Sequence, residues 1–345
     1  MEFQLDETAE AVVQTAAAVL DDATMDADGM WKALGQSGLL SLSVPVRLGG
    51  EGLGVLASMT LLTEVGRRGL AVPALATLAL GVLPVVRWGS DAQQEELLGD
   101  GHVLTAGVRE PASPEPSVPA TTCTPDLAVT GRKVGVAWAD RARRILVPVS
   151  LHDGTAAVAL VEPGAAGVSM VRTPSASDTP EWTVSFDGAV ATGLLDGGPA
   201  AMEDLYRLAV AGACALGDGA LAGALALTGG YIGSREQFGK PIATFQAAAA
   251  QVADLYIAAR TLHLATLAAC WRLAEGLAAS SDVDVAAYWF AEHAPAALRT
   301  CHHLHGGIGL DVAYPLHRYS SLVKDLVRAI GGAEHRLWTL ERHVH

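Results

Sequence analysis

The chain has 345 residues, of which 50% are hydrophobic and only 5% are aromatic, so its core has to be built mainly from Ala, Leu and Val. That composition favours closely packed helices. A formal net charge of -14 argues against nucleic acid and against anionic membrane surfaces as partners, because a phosphate backbone needs a basic surface to bind.

The amino terminus is acidic and lacks a basic segment followed by an apolar run, so we expect no secretory signal peptide. The cysteines are far apart and form no CxxC pair, which predicts neither a disulfide framework nor a zinc ribbon. They are Cys123, Cys214, Cys270 and Cys301. Both features predict a cytoplasmic protein.

Residues 1–100 show the periodicity of a helical domain. Apolar residues recur at intervals of three and four through residues 11–19 and again through residues 56–65. Residues 52–57 match a G-x-G-x-x-A dinucleotide fingerprint, but no second strand with a ribose-binding acid follows at the right distance. We therefore interpret these glycines as a tight turn between helices.

Residues 101–197 change to short runs rich in β-formers, separated by Pro, Gly and Asp turns, which predicts a middle domain built as a small antiparallel barrel or sandwich. Residues 198–345 are helical again, with long segments near 200–233, 243–276, 282–305 and 315–343. Four such helices with short connectors predict a four-helix bundle. The expected fold class is α+β, mostly α.

One bundle segment is long enough to cross a bilayer. Residues 208–234 carry a single charge, Asp218, but their apolar residues are mostly Ala and Gly. A helix that is apolar all round is equally typical of the centre of a large bundle, and we expect that here, with no membrane as partner.

Two short stretches carry the residue types that a dinucleotide site needs. Residues 234–242 combine a cation, an amide and an aromatic ring in Arg235, Gln237 and Phe238, which suits a pyrophosphate and a stacked base. Residues 302–310 contain three histidines and the pair Gly306 and Gly307. Each stretch alone is also compatible with an ordinary connector between helices.

Taken in this order, the two stretches resemble the acyl-CoA dehydrogenase family of flavoproteins. The amino-terminal half agrees, through Trp31, Val44-Pro45, residues 48–50 and residues 64–67. The resemblance implies the order helical domain, β-domain, helical bundle, with FAD as cofactor and an acyl-CoA as substrate. It also implies α,β-dehydrogenation of the thioester and an electron-transfer flavoprotein as acceptor.

In that family, residues of one subunit hold the adenosine and pyrophosphate end of the flavin bound to its neighbour. The resemblance assigns this role to residues at both stretches, with a histidine in place of the usual glutamine near the second. They are Arg235, Gln237, Phe238, Gln246, His303, Gly306 and Gly307.

The ring-facing and catalytic positions depart from the family pattern. Arg109 replaces a threonine, and Pro114 and Pro116 remove backbone donors from the loop that faces the flavin. The family's glutamate base is expected within residues 327–332 or near Tyr206, and neither place holds a carboxylate. Two nearby acids are weak substitutes, Glu203 and Glu334.

The histidine-rich stretch also offers zinc-like spacing through Cys301, His302 and His305, but the cluster lacks an acid and the resemblance explains it without metal. We therefore expect no metal.

The departures at the catalytic positions predict a subunit that has lost its own base. Its partner in a hetero-oligomer would be a related acyl-CoA dehydrogenase subunit, with a steroid or other bulky acyl-CoA as substrate. Two alternatives stay open: a self-sufficient homo-oligomer that uses Glu203 or Glu334, and a non-redox acyl-CoA-binding or structural protein.

Overall fold

The computed structural model describes residues 7–21, 25–99 and 101–343. Residues 1–6, on which the expectation of no signal peptide rests, lie outside this part. The amino-terminal helices are α1 (Glu7–Leu20), α2 (Ala27–Gln36), α3 (Gly54–Arg67), α4 (Leu83–Trp88) and α5 (Asp91–Leu97), with a π-helix at Leu75–Val82.

Local capping explains where two of these helices begin. The Asp26 carboxylate accepts a hydrogen bond from the Gly29 amide at the start of α2, and Ser90 with Gln93 forms a capping box at the start of α5. Gly52 and Gly54 have φ values of +65° and +75° directly before and at the start of α3. The dinucleotide-like run is therefore the tight turn that we inferred from the sequence.

The middle segment folds into one eight-stranded sheet. Its strands are β1 (Leu104–Ala106), β2 (Thr122–Cys123), β3 (Ala128–Ala137), β4 (Arg144–Leu151), β5 (Ala156–Val161), β6 (Val168–Thr173), β7 (Glu181–Val190) and β8 (Gly193–Leu194). The order is β6-β7-β3-β2-β4-β5-β8 with β1 beside β4. Most pairings are antiparallel as expected, but β1 and β2 both run parallel to β4.

The carboxy-terminal helices are α6 (Pro199–Ser234), α7 (Gln246–Ala274), α8 (Ser280–His305), α9 (Leu316–Ala329) and α10 (Gly332–Glu341), with a hairpin of β9 (Glu236–Gln237) and β10 (Lys240–Pro241) between α6 and α7. We expected one helix over residues 315–343, but there are two. Gly331 and Gly332 have φ values of +89° and +79°, a left-handed backbone conformation that interrupts the helix and separates α9 from α10.

The long bundle helices alternate in direction. Near their starts, α6 and α8 approach through Arg207 and Ser280, and near their ends Tyr231 stacks on His305. The end of α6, the hairpin, the start of α7, the end of α8 and the start of α9 therefore lie together. We call this the hairpin end of the bundle, residues 231–246 and 303–316.

The centre of the bundle is α6, which packs against α3, α7, α8 and α9. Glycines let the backbones of α3 and α6 touch: a Cβ placed on Gly219 would lie 1.9 Å from the Thr63 carbonyl oxygen, and one on Gly66 would lie 2.0 Å from the Leu216 carbonyl oxygen. This contact joins the amino-terminal helices to the bundle.

Helix α6 is long and apolar enough to cross a membrane, yet 83% of its most apolar 18-residue window is buried inside the protein. This burial agrees with its expected role as a central bundle helix.

We expect Gly219→Ala to lower the free energy of unfolding by about 1–3 kcal/mol, because the added methyl group forces α3 and α6 apart. The control is Gly229→Ala in the same helix, where an added Cβ meets nothing within 4 Å. That change should stabilise the chain by about 0.5–1 kcal/mol through helix propensity. Urea unfolding measures both variants, and equal effects would contradict the proposed backbone contact.

Candidate functional site

The hairpin between α6 and α7 places a strained aromatic residue in solvent. Gln237 pairs with Lys240, and the two turn residues, Phe238 and Gly239, have φ values of +52° and +77°. A glycine accepts this conformation freely, but a phenylalanine does not. The Phe238 side chain is 93% exposed, and the ring contact it makes with the described residues is an edge-to-face approach to Phe245, with 6.3 Å between the ring centroids. Such a residue indicates a contact outside this chain.

The Gly-Gly turn is open in the same way. Helix α8 ends at His305, and Gly306 leaves it with a φ value of +62°. Both Gly306 and Gly307 are exposed, and a Cβ placed on either would meet nothing within 4 Å. Their backbone is therefore free to approach a ligand or a second chain.

A stack of rings fixes the hairpin and the Gly-Gly turn relative to each other. The Tyr231 ring, close to the end of α6, lies 4.6 Å from the His305 ring. His305 Nδ1 bonds to the Cys301 carbonyl oxygen, which identifies Nδ1 as the donor, and Nε2 then accepts from the Tyr314 hydroxyl. Burial lowers the pKa of His305, which favours this neutral form.

The structure thus brings the seven residues that the resemblance assigns to the flavin to one end of the bundle. Arg235 follows α6, and Gln246 is the first residue of α7. His303 lies in the last turn of α8. All seven residues are exposed.

The loop expected to face the flavin ring and the stretch expected to carry the base meet elsewhere, in a cleft of about 480 Å³. It lies between the loop after β1, the middle of α8 and the junction of α9 with α10. The residues that line it are Arg109, Glu110, Pro111, Ala112, Ser113, Pro114, Pro295, Lys324, Val327, Arg328, Gly331 and Gly332. None of the seven exposed residues at the hairpin end is among them.

Glu110 is the one carboxylate among these lining residues, and it is fully engaged. It accepts hydrogen bonds from the Lys133 ammonium, from the Thr121 amide and hydroxyl, and from the Ala120 amide, at 2.7–3.0 Å. Burial acts to raise the pKa of Glu110, but these donors hold it below its usual value. Burial lowers the pKa of Lys133 to about 8.

Two further contacts hold the proline-rich loop in place. Arg336, only 1% exposed, pairs with Glu115 and donates a hydrogen bond to the Ile330 carbonyl oxygen. The Tyr206 hydroxyl donates to the Pro116 carbonyl oxygen at 3.0 Å. Burial raises the pKa of Tyr206, so the phenol stays protonated and cannot act as a base near neutral pH.

The two candidate bases are not at the cleft. Glu203 lies one turn before Tyr206 in α6, but Tyr206 is buried and Glu203 is exposed. Glu203 is also about 45 Å along α6 from Ser234, too far to serve a flavin held by the hairpin of the same chain. Glu334 is exposed in the first turn of α10.

The zinc-like spacing does not form a metal site in the described residues. No group of three or more possible ligands occurs in that part of the chain. His302 uses its two ring nitrogens to contact the Gly309 carbonyl oxygen and the Ser320 hydroxyl. His305 is engaged with Cys301 and Tyr314.

Sequence reasoning missed the buried charged groups that shape the cleft. Lys133 lies in β3 and Arg336 in α10, far along the chain from Glu110 and Glu115. The only sequence signal for Lys133 was a charged residue inside a predicted strand. This signal does not identify the residue with which Lys133 pairs.

Two family models match the chain. Residues 4–100 match the acyl-CoA dehydrogenase N-terminal domain, and residues 196–336 match the acyl-CoA dehydrogenase C-terminal domain. The chain therefore belongs to the acyl-CoA dehydrogenase family, as its motifs predicted. It is an FAD-binding oxidoreductase that acts on acyl-CoA.

Among curated relatives, the acyl-CoA dehydrogenase FadE28 of Mycobacterium tuberculosis (strain ATCC 25618 / H37Rv) is 45% identical, over 97% of each chain. FadE27 of the same organism is 32% identical over 91% of this chain and 87% of its own.

Solved structures show the same fold. The ChsE4-ChsE5 complex from Mycobacterium tuberculosis has a TM-score of 0.91 at 29% identity, covering 100% of this chain and 99% of that one. The Tcur3481-Tcur3483 steroid ACAD G363A variant has a TM-score of 0.88 at 31% identity, covering 98% of this chain and 96% of that one. Butyryl-CoA dehydrogenase from Megasphaera elsdenii, at 20% identity and a TM-score of 0.90 over 100% of both chains, confirms the fold alone.

We expect Glu203→Gln and Glu334→Gln to leave turnover within about twofold of wild type, because an exposed carboxylate outside the cleft cannot reach a substrate proton there. Dye-linked dehydrogenase assays of the chain in its active assembly measure the effect. A loss of about 100-fold or more in either variant would identify that residue as the base.

Proposed function

We propose that this chain is the base-lacking subunit of a hetero-oligomeric acyl-CoA dehydrogenase that oxidises a steroid or other bulky acyl-CoA. The observation that carries the proposal is the cleft, where the lining residues offer one carboxylate and that carboxylate is committed to Lys133, Thr121 and Ala120.

The reaction needs a free carboxylate close to the substrate α-carbon, and it needs FAD, which accepts the hydride from the β-carbon when bound. Glu110 cannot supply the carboxylate without breaking a buried ion pair, which is strongly destabilising. The Tyr206 phenol is held protonated. A partner chain that brings its own glutamate satisfies the requirement that this chain does not meet.

The residues at the hairpin end fit the phosphate and adenosine part of FAD. Arg235 supplies a cation, Gln237 an amide, and Phe238 an exposed ring held in a strained turn. Gly306 and Gly307 leave open space where side chains would otherwise stand. Backbone, guanidinium and ring together suit an anionic dinucleotide. Because none of these groups lines the chain's own cleft, we infer that the flavin they hold belongs to a neighbouring chain.

The loop after β1, which the family places against the flavin ring, fits FAD less well than the hairpin end does. Arg109 brings a positive charge to the position where the family has a threonine. Pro114 and Pro116 have no amide hydrogen to donate, and the Pro116 carbonyl oxygen is already bonded to Tyr206. We therefore assign the flavin ring of the active site to the partner.

An exposed apolar surface surrounds the hairpin end and supports a partner there. Large apolar side chains are exposed by 40–93%, which is typical of a protein contact. They are Phe238, Ile308, Leu310 and Val312.

The solved relatives support a partner that is related but not identical. Two of them, ChsE4-ChsE5 and Tcur3481-Tcur3483, are each named as a pair of proteins, and the second is named a steroid ACAD. The homo-oligomeric alternative is weaker because both of its candidate bases are exposed, and family membership favours a redox role over a purely structural one. As the family resemblance implies, an electron-transfer flavoprotein is the proposed acceptor.

Co-purification with the partner from the native host tests the proposal. We expect one FAD for each pair of unlike chains, measured by flavin absorbance against protein concentration, and no dye-linked turnover by this chain alone. Turnover by the isolated chain, or two FAD for each pair of unlike chains, would contradict the proposal.

We further expect Arg235→Met combined with Phe238→Ala to weaken FAD retention by the complex about 10- to 100-fold, because a charged hydrogen bond and a stacking surface are lost. Flavin release during gel filtration measures the effect. Arg132→Met, at an exposed arginine of β3, is the matched control and should retain FAD. Unchanged retention in the double variant would rule out the assigned role of the hairpin.

A further inference from the structure

Arg109 is a mostly buried arginine with no partner in the described part of the chain. Its Nε atom is buried and makes no hydrogen bond, and its guanidinium forms no ion pair with any described residue. A buried charged donor left unsatisfied is costly, and native proteins rarely keep one without a reason. The unpaired guanidinium therefore indicates a ligand that completes it.

The surrounding chain makes room for this guanidinium. Gly135 has a φ value of +63°, and a Cβ placed on it would lie 2.8 Å from Arg109 Nη1. The same point lies 3.4 Å from Glu181 Oε2, so a side chain at position 135 would push the guanidinium aside. The glycine therefore leaves room for Arg109 at the cleft.

Nearby acids are already used by other groups. Both Glu181 oxygens accept hydrogen bonds from Arg328 Nη2 at 2.8 Å. Asp325 also pairs with Arg328 and accepts from the amides of Ala176 and Ser177. Burial and the neighbouring Arg328 lower the pKa of Arg109, and Glu181 only partly opposes them.

A second free cation faces the same space. Lys324, on α9, lines the cleft, is exposed and forms no ion pair with the described residues. Arg109 and Lys324 are thus two lining cations without an ion-pair partner among the described residues, whereas Arg328 is already paired with Glu181 and Asp325. The cleft volume of about 480 Å³ is ordinary for a small-ligand site.

We propose that this cleft is a binding site for a small phosphate-bearing anion, held by the Arg109 guanidinium with Lys324 as a second cation. The planar guanidinium offers parallel donors that match two phosphate oxygens, whereas the ammonium acts as a point charge. The ligand is either free phosphate or a phosphate ester such as coenzyme A. The site does not depend on the proposed hetero-oligomer.

The test uses thermal unfolding of the full chain against sodium phosphate, with sodium chloride added to keep the ionic strength constant. A ligand that binds the folded state raises the melting temperature in a saturable way. Arg109→Met should melt at a higher temperature than wild type in phosphate-free buffer, because an unpaired buried charge is removed, and should lose the response to phosphate.

Titration calorimetry gives the affinity directly. We expect the dissociation constant for phosphate to rise at least tenfold in Arg109→Met and less in Lys324→Met. Arg132→Met is the matched control, since it removes an exposed arginine that does not line the cleft, and it should bind phosphate as wild type does. Saturation by coenzyme A at lower concentrations than phosphate would identify an ester as the ligand, and the reverse would identify free phosphate.

Three results would overturn the proposal. The first is a wild-type melting temperature that does not change with phosphate or coenzyme A. The second is Arg109→Met melting lower than wild type in phosphate-free buffer, which would show a structural role for the charge. The third is loss of phosphate binding in Arg235→Met with retention in Arg109→Met, which would place the anion at the hairpin end.

Discussion

The structure depends on the close contact between α3 and α6. Gly66 and Gly219 let the two backbones touch, and any side chain at either position would collide with a carbonyl oxygen of the other helix. This contact fixes a 36-residue helix at the centre of the protein. One end of that helix holds Tyr206 against the proline-rich loop, and the other end presents the hairpin. The positions of both functional regions follow from one rigid element.

Buried ion pairs determine what the cleft can do. Lys133 and Arg336 are almost completely buried, and each is paired with a glutamate of the loop after β1. Such pairs contribute little net stability but strongly resist the loss of one partner. They therefore fix the loop while making its carboxylates unavailable for proton transfer. Arg109 is the exception, because it has no such ion pair in the part of the chain that the structure describes.

The hairpin end differs from the cleft, because its functional groups are exposed rather than held in buried ion pairs. The side chains assigned to the cofactor are exposed, and the strained Phe238 meets the described part of the chain at the edge of the Phe245 ring. Behind the turn lies the stack of Tyr231, His305 and Tyr314, and within the hairpin end the Lys240 ammonium lies 4.4 Å from the centre of the Phe245 ring. A surface that is well positioned but incomplete is what an assembly of several chains requires, because each chain completes the site of another.

The sequence by itself determined the order of helical, β and helical segments, the family, and the two exposed motifs at the hairpin end, because periodicity and turn residues are local properties. It also determined that no carboxylate stands at either expected base position. Only the tertiary structure decided that Glu203 and Glu334 face solvent, that Glu110 is paired with Lys133, and that Arg109 has no ion-pair partner among the described residues. Those facts depend on contacts between residues far apart in the chain, and no local pattern records which distant side chain a buried charge will meet.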